Sequence, residues 1–101
     1  MEVLVVGDEV VGVLVSRVDR AHLFVENVAI APSARGRGYG RSLLAHAQSH
    51  AADAGLGGVR LYTNAAMTEN LELYRHLGYV EVDRRHVDGF DRVFFEKTVE
   101  S

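Results

Sequence analysis

Between Ala31 and Ser42 the chain reads Pro32-Ser33-Ala34-Arg35-Gly36-Arg37-Gly38-Tyr39-Gly40-Arg41, with glycines at alternate positions among three arginines. An apolar run, Val28–Ala31, leads into this stretch, and Ser42-Leu43-Leu44 opens a helical pattern after it. A strand, a glycine-rich turn and a helix start together make an anion site. The first turn of a helix has amide N–H groups with no intrahelical acceptor, and the helix dipole adds partial positive charge there. Glycine lets a phosphate approach the backbone closely, while Arg35, Arg37 and Arg41 add fixed charge. Two familiar phosphate loops do not fit. A Walker loop needs Gly-Lys-Ser/Thr, and this stretch has no lysine. The dinucleotide fingerprint, started at Gly36 or Gly38, would need glycine where Arg41 or Leu43 stands.

Arg35-x-x-Gly38-x-Gly40 does resemble the pyrophosphate-binding signature, Gln/Arg-x-x-Gly-x-Gly/Ala, of the GNAT superfamily of acyl-CoA-dependent N-acyltransferases. A second segment supports the resemblance. Asn64 to Tyr79 is similar to the family's later helix, which ends in Tyr-x-x-x-Gly-Phe/Tyr, here Tyr74-x-x-x-Gly78-Tyr79. One position departs from the pattern: Met67 stands where the family often has an asparagine seven residues before the tyrosine. Asn64 and Asn70 lie on either side of it, positioned to contact CoA or to cap the helix.

The resemblance implies acetyl-CoA as acyl donor, a primary amine of a small molecule or peptide as acceptor, and direct transfer. Backbone amides from Gly36 through Arg37, Gly38, Tyr39 and Gly40 to Arg41, with the arginine side chains and Arg35, would hold the phosphates. Val28 and Ile30, on the strand before the loop, would offer N–H groups to the oxyanion, and Asn70 would contact CoA. Tyr74 would protonate the departing thiolate: a phenol with a reference pKa of about 10 keeps its proton at neutral pH. Glu26, in Val25-Glu26-Asn27-Val28, would take the amine proton directly or through water. The competing expectation is an acyl-CoA-binding module without catalysis, or a subunit of a larger assembly.

The histidines support no metal site at this level. His46 and His50 are spaced i, i+4 on the first helix, with no acidic helical neighbour, and read as a solvated face. No metal is expected. The chain has no cysteine, which excludes disulfides, thiolate ligands and a cysteine nucleophile. A formal charge of −3 argues against nucleic acid as a bulk electrostatic partner. No run reaches the roughly 18 apolar residues that span a bilayer, and the N-terminus lacks a signal-peptide pattern. The expected setting is cytoplasmic.

These groups need a scaffold to position them. Val3–Val6 and Val10–Ser16 read as a hairpin around Gly7-Asp8-Glu9, and His22–Ala31 as a central strand. Tyr39 to about Ala54 has apolar residues at helical spacing and stops at Gly55. Val59–Thr63 is a short strand, and Thr68–Leu77 a second helix. Tyr79–Val87 and Phe90–Thr98 form a closing hairpin around Asp88-Gly89. The order ββ(β)αβαββ predicts an α/β fold with a mixed, mostly antiparallel sheet of about six strands and two flanking helices, in a single domain over residues 1–101. The family's usual first strand and two leading helices have no counterpart here. The sheet surface those helices cover would be left open, which favours a homodimer.

Overall fold

The computed structural model describes residues 1–99. Its strands are β1 (Glu2–Val6), β2 (Glu9–Asp19), β3 (His22–Ile30), β4 (Gly58–Asn64), β5 (Val80–Val87) and β6 (Phe90–Thr98). They form one sheet in the order β1-β2-β3-β4-β6-β5. Only β3 and β4 run parallel. A parallel pair cannot be joined by a tight turn; helix α1 (Tyr39–Asp53) makes the crossover, and α2 (Thr68–His76) connects β4 to β5.

Strand residues alternate between two faces. One face presents Leu23, Val25, Val59, Leu61, Val93 and Phe95 to α1 and α2. Helix α1 meets them with Leu43, Leu44, Ala47 and Ala51, a stripe at helical spacing. Ala47 and Ala51 are fully buried, so small side chains let this helix lie close to the sheet. The opposite face is covered by no helix among the described residues. It carries a ladder of Phe24, Tyr62 and Phe94, with ring centroids 5.9 and 5.5 Å apart. The guanidinium groups of Arg17, Arg92 and Arg85 lie over these rings at 5.1, 4.6 and 5.1 Å.

Both helices end in the same way. Gly55 and Gly78 adopt positive φ, 73° and 93°. The Tyr79 N–H donates to the Tyr74 carbonyl at 2.9 Å and that of Gly78 to Arg75 at 3.0 Å; Leu56 and Gly55 bond Ala51 and Ala52 likewise. These are Schellman motifs, which satisfy the last carbonyls and turn the chain back onto the sheet. Lys97 on β6 adds a bond from its Nζ to the Leu77 carbonyl at 2.6 Å, fastening the end of α2.

The observed elements follow the order expected from sequence, with two local differences. Strand β2 runs to Asp19 because Arg17, Val18 and Asp19 keep pairing with β3 down to Asp19–His22. The two-residue turn there puts Arg20 at φ 56°, and no glycine advertises it. His46 and His50 are not simply solvated. The Glu2 carboxylate reaches from β1 to within 2.6 Å of His46 Nε2 and 3.8 Å of His50 Nδ1. This neighbour is invisible along the helix because it belongs to the sheet.

The turn after α2 buries Tyr79. Burial pushes its phenol up to about 12 and raises that of Tyr74. In the unfolded chain both ionise near 10, so the unfolded state loses protons first as pH rises. Stability from these groups is therefore complete below about pH 10 and declines between about 10 and 12. Urea unfolding across this range is expected to show that decline, and Tyr79→Phe is expected to reduce its slope. An identical slope in the variant would assign the alkaline instability elsewhere.

Candidate active site

Strands β3 and β4 are in register only from His22–Gly58 to Val25–Leu61. Beyond that point β3 stays with β2, pairing Asn27 to Ile30 with Val15 to Gly12, while Tyr62 to Asn64 of β4 follow β6. A bulge marks the parting: Val15 faces Asn27 and Ser16 faces Val25, leaving Glu26 without a partner on β2. Bulges bend a strand and re-aim its side chains.

The two strands diverge into a cleft. The Ala31 N–H donates to the Val11 carbonyl at 2.8 Å, so it points toward β2. Amide direction alternates along a strand paired in this way. The N–H groups of Val28 and Ile30 therefore point away from β2, into the space that β4 has vacated. Both residues line a cavity of about 410 Å³ with Arg35, Gly40, Leu73 and Tyr74. A second cavity of about 230 Å³ lies between Glu26, Asn27, Tyr62 and Asn64. The two share Val28, Met67, Asn70 and Tyr74, so they meet beside the Tyr74 side chain.

The larger cavity opens toward the start of α1. Gly38 is the residue before the helix, in the left-handed region at φ 80°. The first helical bond runs from Ser42 N–H to the Gly38 carbonyl at 3.1 Å. Among the described residues no protein group accepts from the N–H groups of Gly36, Arg37, Gly38, Tyr39, Gly40 or Arg41. No side chain caps the helix, and no acidic residue lies in its first turn. Gly36 and Gly38 need glycine for their positive φ. Gly40 does not, and a Cβ there would meet nothing nearer than Ile30 Cγ1 at 3.9 Å. Neither backbone geometry nor internal packing explains the missing side chain, which leaves open space beside the free amides.

Helix α2 forms the far wall. Its approach is set by Asn64, whose Oδ1 accepts from the Ala66 N–H at 2.8 Å, a side-chain turn that carries the chain from strand to helix. Asn70 Nδ2 donates to Thr63 Oγ1 at 3.4 Å and approaches Met67 Sδ at 3.7 Å, joining helix to strand. Tyr74 packs against Tyr79 and Phe95, with centroids 5.9 and 5.6 Å away. The ring is thus wedged from behind, and its raised pKa, caused by burial, keeps the phenol protonated across the neutral range.

Of the residues singled out in the sequence, Val28, Ile30, Arg35, Gly40, Asn70 and Tyr74 converge on the larger cavity. Glu26 borders the smaller one, and its carboxylate accepts from Arg17 Nε at 2.8 Å. Gly36, Arg37, Gly38, Tyr39 and Arg41 form the amide row at the helix start rather than the cavity wall. Sequence reasoning did not select Thr63, Met67, Glu69 or Leu73, which also line the site. Their common signal is position: Thr63 lies near the end of β4, Met67 immediately precedes α2, and Glu69 and Leu73 lie on α2.

Residues 2–81 match the family model described as the acetyltransferase (GNAT) domain. Mycothiol acetyltransferase of Nocardia farcinica is 44% identical over 61 residues, which are 60% of this chain and 19% of that protein. The corresponding protein of Rhodococcus erythropolis gives the same identity and coverage. The match thus spans about a fifth of the length of these curated relatives. In three dimensions the ribosomal-protein-S18-alanine N-acetyltransferase of Escherichia coli superposes with a TM-score of 0.87 at 22% identity, covering 98% of this chain and 68% of that one. A Bacillus subtilis acetyltransferase in complex with CoA gives 0.85 at 23% identity, covering 93% and 72%. The fold, the cleft between β3 and β4 and the matched family model agree: the chain belongs to the GNAT acetyltransferase family.

Proposed function

We propose that this chain is a cytoplasmic, single-domain N-acetyltransferase that moves an acetyl group from acetyl-CoA directly to a primary amine of a small molecule or peptide. One observation carries the proposal: six consecutive N–H groups without protein acceptors among the described residues, Gly36 to Arg41, lie beside a cavity that Gly40 and the half-buried Tyr74 both line. The open sheet face favours a homodimer.

In this scheme the amide row, Arg35, Arg37 and Arg41 bind the phosphates, and Asn70 contacts the CoA arm. Val28 and Ile30 direct their N–H groups at the thioester carbonyl, where negative charge grows as the amine adds. Loss of one such donor costs about 2.7–4 kcal/mol of transition-state stabilisation in a protease example. The new C–N bond forms and the C–S bond breaks. Glu26 receives the proton from the amine nitrogen, directly or through water, and Tyr74 gives its proton to the sulfur as charge develops there. Solvent then takes the proton from Glu26 and returns one to the Tyr74 phenolate, so both groups are reset. The smaller cavity, between Glu26 and Asn64, is where the amine would enter.

Calorimetric titration with acetyl-CoA and an amine-dependent thiol-release assay test this scheme. Binding without amine-dependent thiol release would instead assign a non-catalytic acyl-CoA-binding module; absence of binding would overturn the proposal.

Three variants separate the roles. Gly40→Leu is expected to keep the wild-type melting temperature within a few degrees and to weaken acetyl-CoA binding at least tenfold, because the added side chain fills space that only the ligand uses. Tyr74→Phe is expected to lower kcat at least tenfold with acetyl-CoA affinity retained; unchanged turnover would remove the phenol from the chemistry. Glu26→Gln is expected to flatten the acidic limb of the pH–rate profile, and an unaltered limb would exclude it as the base.

A further inference from the structure

The smaller cavity has sides of opposite charge. Glu26 borders it from β3, and Tyr62 and Asn64 border it from β4. Across the ladder to β6, Tyr62 faces Phe94 and Asn64 faces Arg92. Arg92 in turn faces Arg85 on β5. Residues directly opposite in an antiparallel pair share a face of the sheet, and like charges there are destabilising. Asp83 relieves Arg85, accepting from its Nε at 2.5 Å. Arg92 is partly buried and has no carboxylate partner among the described residues. Its guanidinium reaches diagonally over the Tyr62 ring, 4.6 Å from the centroid, toward the cavity that Tyr62 lines. Stacking on a ring fixes where that group lies and leaves its N–H donors unused: none of them meets a protein acceptor among the described residues. The Glu26 carboxylate is on the same face, since Arg17, which holds it, lies over Phe24, the next ring of the ladder.

We propose that Arg92 binds a carboxylate of the acceptor, so that the preferred amine carries a negative charge at a distance from its nitrogen. This rests on the acetyl-transfer reading and adds the charge pattern of the acceptor. From β3 across β4 to β6 is two strand spacings, about 10 Å. With the amine at Glu26, the carboxylate falls about three residues along an extended peptide. A free α-amino acid has both groups on one carbon and is too short to meet both sides. The planar guanidinium offers parallel donors matched to a carboxylate. The reverse orientation would set the acceptor carboxylate beside Glu26, where like charges repel.

Calorimetry, with and without CoA, is expected to show Ala-Ala-Glu-amide binding at least about tenfold tighter than Ala-Ala-Gln-amide, which has the same shape without the charge. The pair ω-aminooctanoate and its amide repeats the comparison without a peptide backbone. Preference confined to the first pair assigns a peptide acceptor, and preference confined to the second a small molecule. Arg92→Gln is expected to abolish the preference with the melting temperature kept within a few degrees. Arg92→Glu is expected to invert it, so that Ala-Ala-Lys-amide binds more tightly than Ala-Ala-Glu-amide; lost packing alone would weaken both alike. Equal binding of charged and uncharged members of both pairs, no binding of any, or a preference for Glu that survives Arg92→Glu would overturn the proposal. Preference for the carboxylate without amine-dependent thiol release would uphold the anion site and overturn the transfer reading instead.

Discussion

The site depends on the early separation of β3 from β4. Two parallel strands in a sheet ordinarily pair along their shared length. Here the register ends at Val25–Leu61, although β3 continues to Ile30 and β4 to Asn64. The separation holds because each strand keeps its other neighbour: β2 for the far part of β3, β6 for the far part of β4. A cleft inside a sheet would otherwise leave backbone donors unsatisfied at a cost comparable to a lost hydrogen bond. The outward amides of Val28 and Ile30 are such donors, aimed at a cavity that the helix start and α2 also border. The cleft thus gathers at one place donors that a ligand acceptor would satisfy and the sheet does not.

Positioning of α2 is the second requirement, and it is met from several directions. Asn64 turns the chain into the helix, Asn70 ties its first half to Thr63, and Lys97 holds its last turn. Glu81 joins Arg75 on the helix to Arg84 on β5, and hydrogen bonding and charge from Arg84 hold its carboxyl below the usual range. Exposed ion pairs of this kind contribute little stability. The buried contacts of Tyr74 with Phe95 and Tyr79 do more, because they leave the ring little room to turn away from the cavity.

Much of this was legible in the sequence, for identifiable reasons. The helices carry a 3.6-residue apolar period and glycine stops, both local signals, and their limits fall within a residue or so of those expected. The glycines at 36, 38 and 40 marked the open loop before α1: Gly36 and Gly38 take positive φ, and Gly40 leaves space beside the helix start. What stayed hidden is non-local. The pairing of Glu26 with Arg17 depends on a bulge that shifts register by one residue, and nothing around Val25-Glu26-Asn27 encodes it without β2 alongside. The meeting of Glu2 with His46 requires knowing that β1 lies beside α1. Thr63 and Met67 reach the site only because β4 diverges, and a strand's own residues do not announce where its neighbour leaves.

The arginines divide by the same logic. Arg17, Arg85 and Arg92 lie over aromatic rings on the open face, and Arg17 and Arg85 are also paired with carboxylates. Their stems and guanidinium planes shield apolar rings from water. Arg35, Arg37 and Arg41 have no ion-pair partner among the described residues and surround six free amides. In a chain of net charge −3, leaving three guanidinium groups uncompensated within seven residues concentrates positive potential at one spot. The glycines remove steric cover from the same spot. A loop serving only as a connection would need neither the charge nor the openness, whereas a polyanionic ligand needs both.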